Sequence, residues 1–417
     1  MRLAAFIVAI LFAQLLFAQN VDTPRLQLNE LIAEVLGSNP EVLAAQKRYE
    51  AARQRPAQAR SLPDPMVSFG WNASGQPWPG AGLGTEPTAN IGVMASQELP
   101  YPGKLRLKGI VASKEADAEA QQFRAAQLSV ISRLKQAFYR LQHAYAMLDV
   151  LERNRTSLES LLRVTEARYS VGKAAQADVF RAQTQITVLE TRIVQIERER
   201  RSREAELNSL LSHRQGSHLR RPEEPHMQPL AFSEAELLTK VGGMAPMLAR
   251  DQKMIERAQS ALSLARKDYY PDFTVNGGYY NMGSMPPMYM FRADVKVPLR
   301  LGRTRAEVAE RNQELAGAKY TYEATARSLE YRIRDEYNAA ETAQKLLDLY
   351  LRTALPQARL AVESSLASYQ TGSLDFTAVL ANEVAAFEYE MNYHEQMQEF
   401  HLSLARLEEM TGVELIK

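Results

Sequence analysis

The chain has 417 residues, a length that suits two or three ordinary domains or one elongated unit built from a duplicated half. Its 50 Lys and Arg stand against 49 Asp and Glu, which leaves no electrostatic footprint for nucleic acid and excludes that class of partner. The lack of cysteine excludes disulfides, thiolate metal sites, cysteine nucleophiles and the acylated cysteine of a lipoprotein, so any membrane anchor is expected from the fold itself.

In chain order, Met1-Arg2 is followed by an apolar run from Leu3 to Ala18 interrupted by Gln14, which predicts a signal peptide over residues 1–18. A membrane anchor needs about 20 apolar residues, more than this run supplies. No other apolar run of spanning length occurs, so the mature chain is expected either to be exported and soluble or to cross a membrane as strands.

The remainder repeats itself. Tyr169-Ser170-Val171-Gly172 with Asp178-Val179 returns as Tyr369-Gln370-Thr371-Gly372 with Ala378-Val379, an offset of 200 residues (369 − 169). Leu62-Pro63-Asp64-Pro65 parallels Tyr270-Pro271-Asp272-Phe273, and Leu99-Pro100 parallels Val297-Pro298, at nearly the same offset. This predicts a first repeat over 19–212, made of a helix, a β-hairpin at 66–99, a long helix at 104–169, a tip and a helix at 178–212. A linker at 213–232 leads to a second repeat over 233–417, with a helix, a hairpin at 272–298, a long helix at 303–370, a tip and a helix at 377–412.

The helices announce themselves by a heptad seam. Val130, Leu134, Ala137, Leu141, Ala144, Leu148, Leu151, Leu158, Leu162, Thr165 and Tyr169 recur by threes and fours, with Arg155 interrupting. Val179, Ala182, Ile186, Leu189, Ile193 and Ile196 resume it after the first tip, and Val379, Ala386, Tyr389, Tyr393, Phe400, Leu407 and Met410 follow the second. Such seams suit a plain coiled coil, but the helix lengths suggest more. A helix at 104–169 would run ~100 Å against ~50 Å for 178–212 and ~30 Å for 41–61, so two short helices stacked end to end could match one long one.

Between the helices the period is two. The predicted strands are 66–74, 89–99, 272–281 and 288–297, with proline and glycine in intervening surface loops, including Pro286-Pro287. Tyr289, Phe291, Ala293, Val295 and Val297 alternate with Met290, Arg292, Asp294 and Lys296. Each strand is about the 9–11 residues that cross a bilayer at a tilt. Four strands cannot close a membrane barrel, and an open edge is not viable in lipid, so oligomerisation is expected. A dimer would give eight strands and a filled barrel, whereas a trimer would give twelve and an aqueous lumen.

Candidate sites are few. Three of the six histidines, His213, His218 and His226, fall in the linker, where their spacing fits no strong ligand motif and an exposed connector is the expectation. Met282, Met285, Met288 and Met290 crowd the second hairpin; thioethers suit soft ions, although adaptable packing explains them equally. Ser, His and acidic residues show no mechanistic spacing, so neither an enzyme nor a cofactor is expected. The competing class is a secreted coiled-coil scaffolding or adhesion protein.

From about Leu28 to Gly412 the chain resembles the TolC family of outer-membrane efflux factors, above all in the paired tips Tyr169–Gly172 and Tyr369–Gly372. Leu62-Pro63-Asp64-Pro65 and Leu99-Pro100-Tyr101-Pro102-Gly103-Lys104 further resemble members serving heavy-metal exporters of the Cus and Czc kind. The resemblance implies a mainly α chain whose four strands join a trimeric twelve-stranded barrel in the outer membrane of a Gram-negative bacterium. It also implies a helical periplasmic tunnel docked on an adaptor protein and an inner-membrane pump of RND type. Adaptor contact would map to Val171, Gly172, Lys173, Thr371, Gly372 and Ser373. In the family the mouth is held shut by an Asp, a Tyr and an Arg; Asp178 and Tyr369 match, whereas the Arg position is Leu374. The expectation is therefore that Asp178 caps its helix while Tyr369 and Leu374 form an apolar gate around the axis.

Overall fold

The computed structural model describes residues 25–73, 75, 77–227 and 229–415; the expected signal peptide lies outside the described residues. The chain forms two compact units. Unit 2 comprises residues 43–126 and 238–331; unit 1 comprises the described residues up to Val42 together with 127–237 and 332 onward. No described helix is long and apolar enough to cross a membrane.

The elements in order are α1 (Leu28–Ser38), α2 (Pro40–Ala52), α3 (Arg55–Arg60), β1 (Met66–Asn72), β2 (Asn90–Leu99), α4 (Lys104–Ser170) and α5 (Gln176–Leu210). There follow α6 (Glu234–Met244), α7 (Pro246–Lys267), β3 (Asp272–Met282), β4 (Met285–Lys296), α8 (Leu301–Leu349), α9 (Leu355–Thr371) and α10 (Phe376–Thr411).

Unit 2 holds one antiparallel sheet in the order β1-β2-β3-β4, in which the β2–β3 pairing joins the two hairpins. Where the strands leave the helices, Lys104 Nζ lies 3.0 Å from Asp268 and 2.9 Å from Asp272, and the Tyr101 amide donates to Asp272 at 2.8 Å. The Tyr101 and Tyr270 rings stack at 4.5 Å. Burial disfavours the charge on Lys104 and the two carboxylates offset that cost, so losing either would leave the buried ion only partly compensated. The expected loop at Pro286-Pro287 is corrected: both prolines lie inside β4, and the turn is Gly283-Ser284. β4 is the sheet's edge in this chain, and the ladder slips between Tyr280 and Met282, so a missing N–H is tolerated there.

Unit 1 is a helical packing in which the heptad seam is the core. Val130, Leu134, Ala137, Leu141, Ala144, Leu151, Leu158 and Thr165 of α4 are buried, each leucine contributing about 2 kcal/mol of burial. Ala182, Leu189, Val379, Phe400, Leu407 and Met410 join them. The seam fails at Tyr169 and Tyr389, which are exposed.

The expected continuous helix over 303–370 is interrupted by a π-type turn at Tyr350–Ala354, where the Leu355 amide bonds back five residues to Tyr350. Pro356 explains it: proline has no N–H and its ring collides with the carbonyl four residues earlier, so the helix widens to pass it. The connector 213–232 is also less free than expected. Leu26 bridges Pro222 in parallel, Arg221 pairs with Asp149, Gln142 donates to the Glu223 carbonyl, and Asn208 donates to Ser217 O at 2.8 Å.

Candidate functional site

The first candidate is the sheet of unit 2. Residues opposite one another in an antiparallel ladder share a face. One face carries Val67, Phe69, Trp71, Ile91, Tyr279, Tyr289, Phe291 and Val295; Phe69 is 83% and Phe291 79% exposed. The other carries Ser96, Asn276, Arg292, Glu98, Thr274 and Asp294, with Asn276 only 3% exposed. Asn276 donates to Asp294 at 2.7 Å, and Arg292 pairs with Asp294 at 3.0 Å. A soluble sheet hides its apolar face; this one displays it. That inversion is what strands in lipid require.

The second candidate is the pair of tips in unit 1. Each closes with the same two backbone bonds. Gly172 N donates to Tyr169 O at 2.9 Å and Lys173 N to Arg168 O at 2.8 Å; Gly372 N donates to Tyr369 O and Ser373 N to Ser368 O, both at 3.0 Å. Gly172 and Gly372 hold φ of 72° and 87°, which a side chain would strain. Val171, Gly172, Lys173, Thr371, Gly372 and Ser373 are all exposed.

The gate residues require correction. Tyr369 does not stand free for an apolar gate: it is 3% exposed, inside its own chain's core with Phe376, Val379 and Leu158. Its hydroxyl donates to Thr165 Oγ1 at 3.3 Å and its ring meets Phe376 edge-on at 6.0 Å. Leu374 is half-buried against the same cluster. Asp178 does not cap its helix, because α5 begins at Gln176 with Ala175 at the cap; the carboxylate lies in the first turn, 3.6 Å from Arg181. The cap expected there occurs in the other repeat, where Asp375 Oδ1 accepts the Ala378 amide at 2.8 Å.

Arg168, which no local sequence pattern singles out, lies where the two tips meet. Its guanidinium lies 4.6 Å above the Tyr369 ring and donates to the carbonyls of Tyr369, Gln370 (3.1 Å) and Lys173 (3.3 Å), pinning one tip to the other.

Against this geometry, a sequence profile described as outer membrane efflux protein matches residues 31–213 and 240–413. The chain belongs to the outer membrane efflux protein family. Among relatives of this efflux protein, the cation efflux system protein CusC of Escherichia coli is 22% identical over 409 residues, 91% of this chain and 86% of that one. The toluene efflux pump outer membrane protein TtgC of Pseudomonas putida is 23% identical over 370 residues, 81% and 75% respectively. Of solved structures, the outer membrane protein VceC of Vibrio cholerae superposes with a TM-score of 0.77 at 21% identity, covering 94% of this chain and 97% of that one. Among the described residues the fold is mainly α with four strands; the protein resides in the outer membrane, and it is a passive channel rather than an enzyme.

The remaining side chains of the efflux protein fit a conduit. Met282 pairs with Met285 at the turn end of the sheet, whereas Met288 and Met290 share the polar face. Among the described residues no group of His, Asp and Glu gathers to hold a metal ion. His213 lies 2.5 Å from Glu34 and His226 bonds the Glu224 carbonyl. His143 is half-buried, with both ring nitrogens shielded from solvent and unpartnered among the described residues, and desolvation pushes its pKa down to about 4. Burial raises the pKa of Glu383, against which Ser157 donates a hydroxyl at 3.0 Å.

Proposed function

We propose that three copies of this chain close their sheets into a twelve-stranded outer-membrane barrel continued by a periplasmic helical tunnel. The assembly serves as the exit duct of a tripartite efflux system. The supporting observation is the inverted sheet: an aromatic, exposed face for lipid backed by a polar face for water, on four strands that cannot close alone. Docking on a periplasmic adaptor and, through it, on an inner-membrane pump of RND type falls to the exposed tip residues Val171-Gly172-Lys173 and Thr371-Gly372-Ser373. The protein is expected to fractionate with outer membranes and to migrate as a heat-sensitive trimer in mild detergent. Solubility without detergent, or a stable monomer, would instead favour the secreted scaffold.

A narrower reading, export of heavy-metal ions, draws support from the name of the CusC relative and from Met288 and Met290 on the polar face. Under it, Met288→Leu with Met290→Leu lowers the copper and silver tolerance the duct confers while leaving tolerance to toluene and other organic solutes intact. Unchanged metal tolerance would remove metal ions from the cargo.

A further inference from the structure

The polar face of the sheet changes character along the strands. Toward the helices it carries Ser96, Asn276, Arg292, Glu98, Asp294 and Lys296. Toward the turns it becomes apolar on β2, β3 and β4, with Ser68 of β1 beside Met94. Gly92, Tyr280 and Met288 occupy one rung across β2, β3 and β4, and Met94, Gly278 and Met290 the next.

The arrangement of these six is specific. A Cβ at Gly278 would lie 2.8 Å from Tyr280 Cε2 and 3.3 Å from both Cζ and Oη; one at Gly92 would lie 2.7 Å from Cγ. The Tyr280 ring therefore rests flat across both positions, in space that only glycine leaves open. A strand side chain ordinarily stands roughly perpendicular to its sheet. Here the ring is laid down along it, and the thioethers of Met94, Met288 and Met290 occupy neighbouring places on the same face.

We propose that Tyr280, laid over Gly92 and Gly278 and grouped with Met94, Met288 and Met290, forms an apolar collar in the barrel lumen that the two glycines keep wide by holding the ring flat. The proposal rests on the barrel reading above, in which the polar face lines the lumen. Three copies of a flat ring leave the lumen wide, while three upright rings project from the wall and narrow it. The glycines act as positioning residues through the ring.

Single-channel conductance of the purified trimer in planar bilayers with potassium chloride tests this. Gly278→Ala, whose new methyl has three atoms of the Tyr280 side chain as its nearest neighbours, is expected to lower conductance by a factor of about two. Tyr280→Ala should hold or raise it, and the double variant should return to the Tyr280→Ala value. Heat-sensitive trimer migration certifies assembly of each variant. If Gly278→Ala does not assemble, Tyr280→Trp against Tyr280→Ala carries the test, with the first expected to lower conductance. Unchanged conductance in Gly278→Ala, an equal drop in both Tyr280 backgrounds, or equal conductance of Tyr280→Trp and Tyr280→Ala overturns the collar. A wild-type trimer that conducts no ions refutes the barrel reading instead.

Discussion

The turns at Gly172 and Gly372 close with the same backbone bonds, yet Tyr169 before the first is 46% exposed and Tyr369 before the second is 3% exposed. Their neighbours account for this. Tyr369 has Phe376 beside it and Arg168 above it; the equivalent positions in the other repeat are Gln176 and Ser368, which offer neither an aromatic edge nor a cation. A duplicated backbone has thus acquired one anchored tip and one tip whose aromatic ring remains available to a partner. Conformation was inherited by both copies, while packing was settled separately in each.

That contrast can be broken most forcefully at the tyrosines. In chemical denaturation Tyr369→Ala should cost about 3–5 kcal/mol, as for other large buried aromatics, and Tyr169→Ala about 0.5 kcal/mol or less. Similar costs would mean that another chain covers Tyr169. Next comes Arg168→Ala, which removes the cation from the ring and the donors from three carbonyls, for about 2 kcal/mol. Protease cleavage around Gly372 should rise in that variant while cleavage around Gly172 is little changed; equal rises at both would deny the pin its direction. The smallest effect separates the two acids. Asp375→Ala should cost about 1 kcal/mol because a cap is lost, and Asp178→Ala no more than about 0.5 kcal/mol because only the helix dipole is unmet. Reversal of that order by thermal unfolding would restore Asp178 as the cap.

What was legible in the sequence was whatever local periodicity carries. The seam from Val130 to Leu158 and the alternation from Tyr289 to Val295 follow from side-chain direction alone, and the structure places both as read. The tips were legible because a glycine at positive φ is a demand of the turn itself. What escaped depends on distant partners. Arg168 and Tyr369 are 201 residues apart, so no local pattern shows that one lies over the other. Asp178 and Asp375 present the same carboxylate near a helix start, and a shift of three positions between repeats decides which one caps. Pro286 and Pro287 read as a loop because proline usually excludes a strand, and only the sheet order reveals an edge that accepts them.

The π-type turn at Tyr350–Ala354 bears on how the two copies stayed alike. Their spacing is 198 residues where the strands end (Val297 against Leu99) and 200 at the tips (Tyr369 against Tyr169), so the second copy is longer by two residues in between. A residue added to an ordinary helix rotates everything beyond it by about 100°, which would carry a buried stripe out of the core. A widened turn takes up one such residue as a local bulge and leaves the downstream helix in phase. In this chain the bulge at Tyr350–Ala354 lies within the lengthened segment and accounts for one of its two added residues, and beyond it Tyr369 keeps its 200-residue spacing from Tyr169 and the start of α10 its spacing from the start of α5. The duplicated helices could thus drift in length while their tips kept one sequence register, with Pro356 marking where part of the slack was taken in.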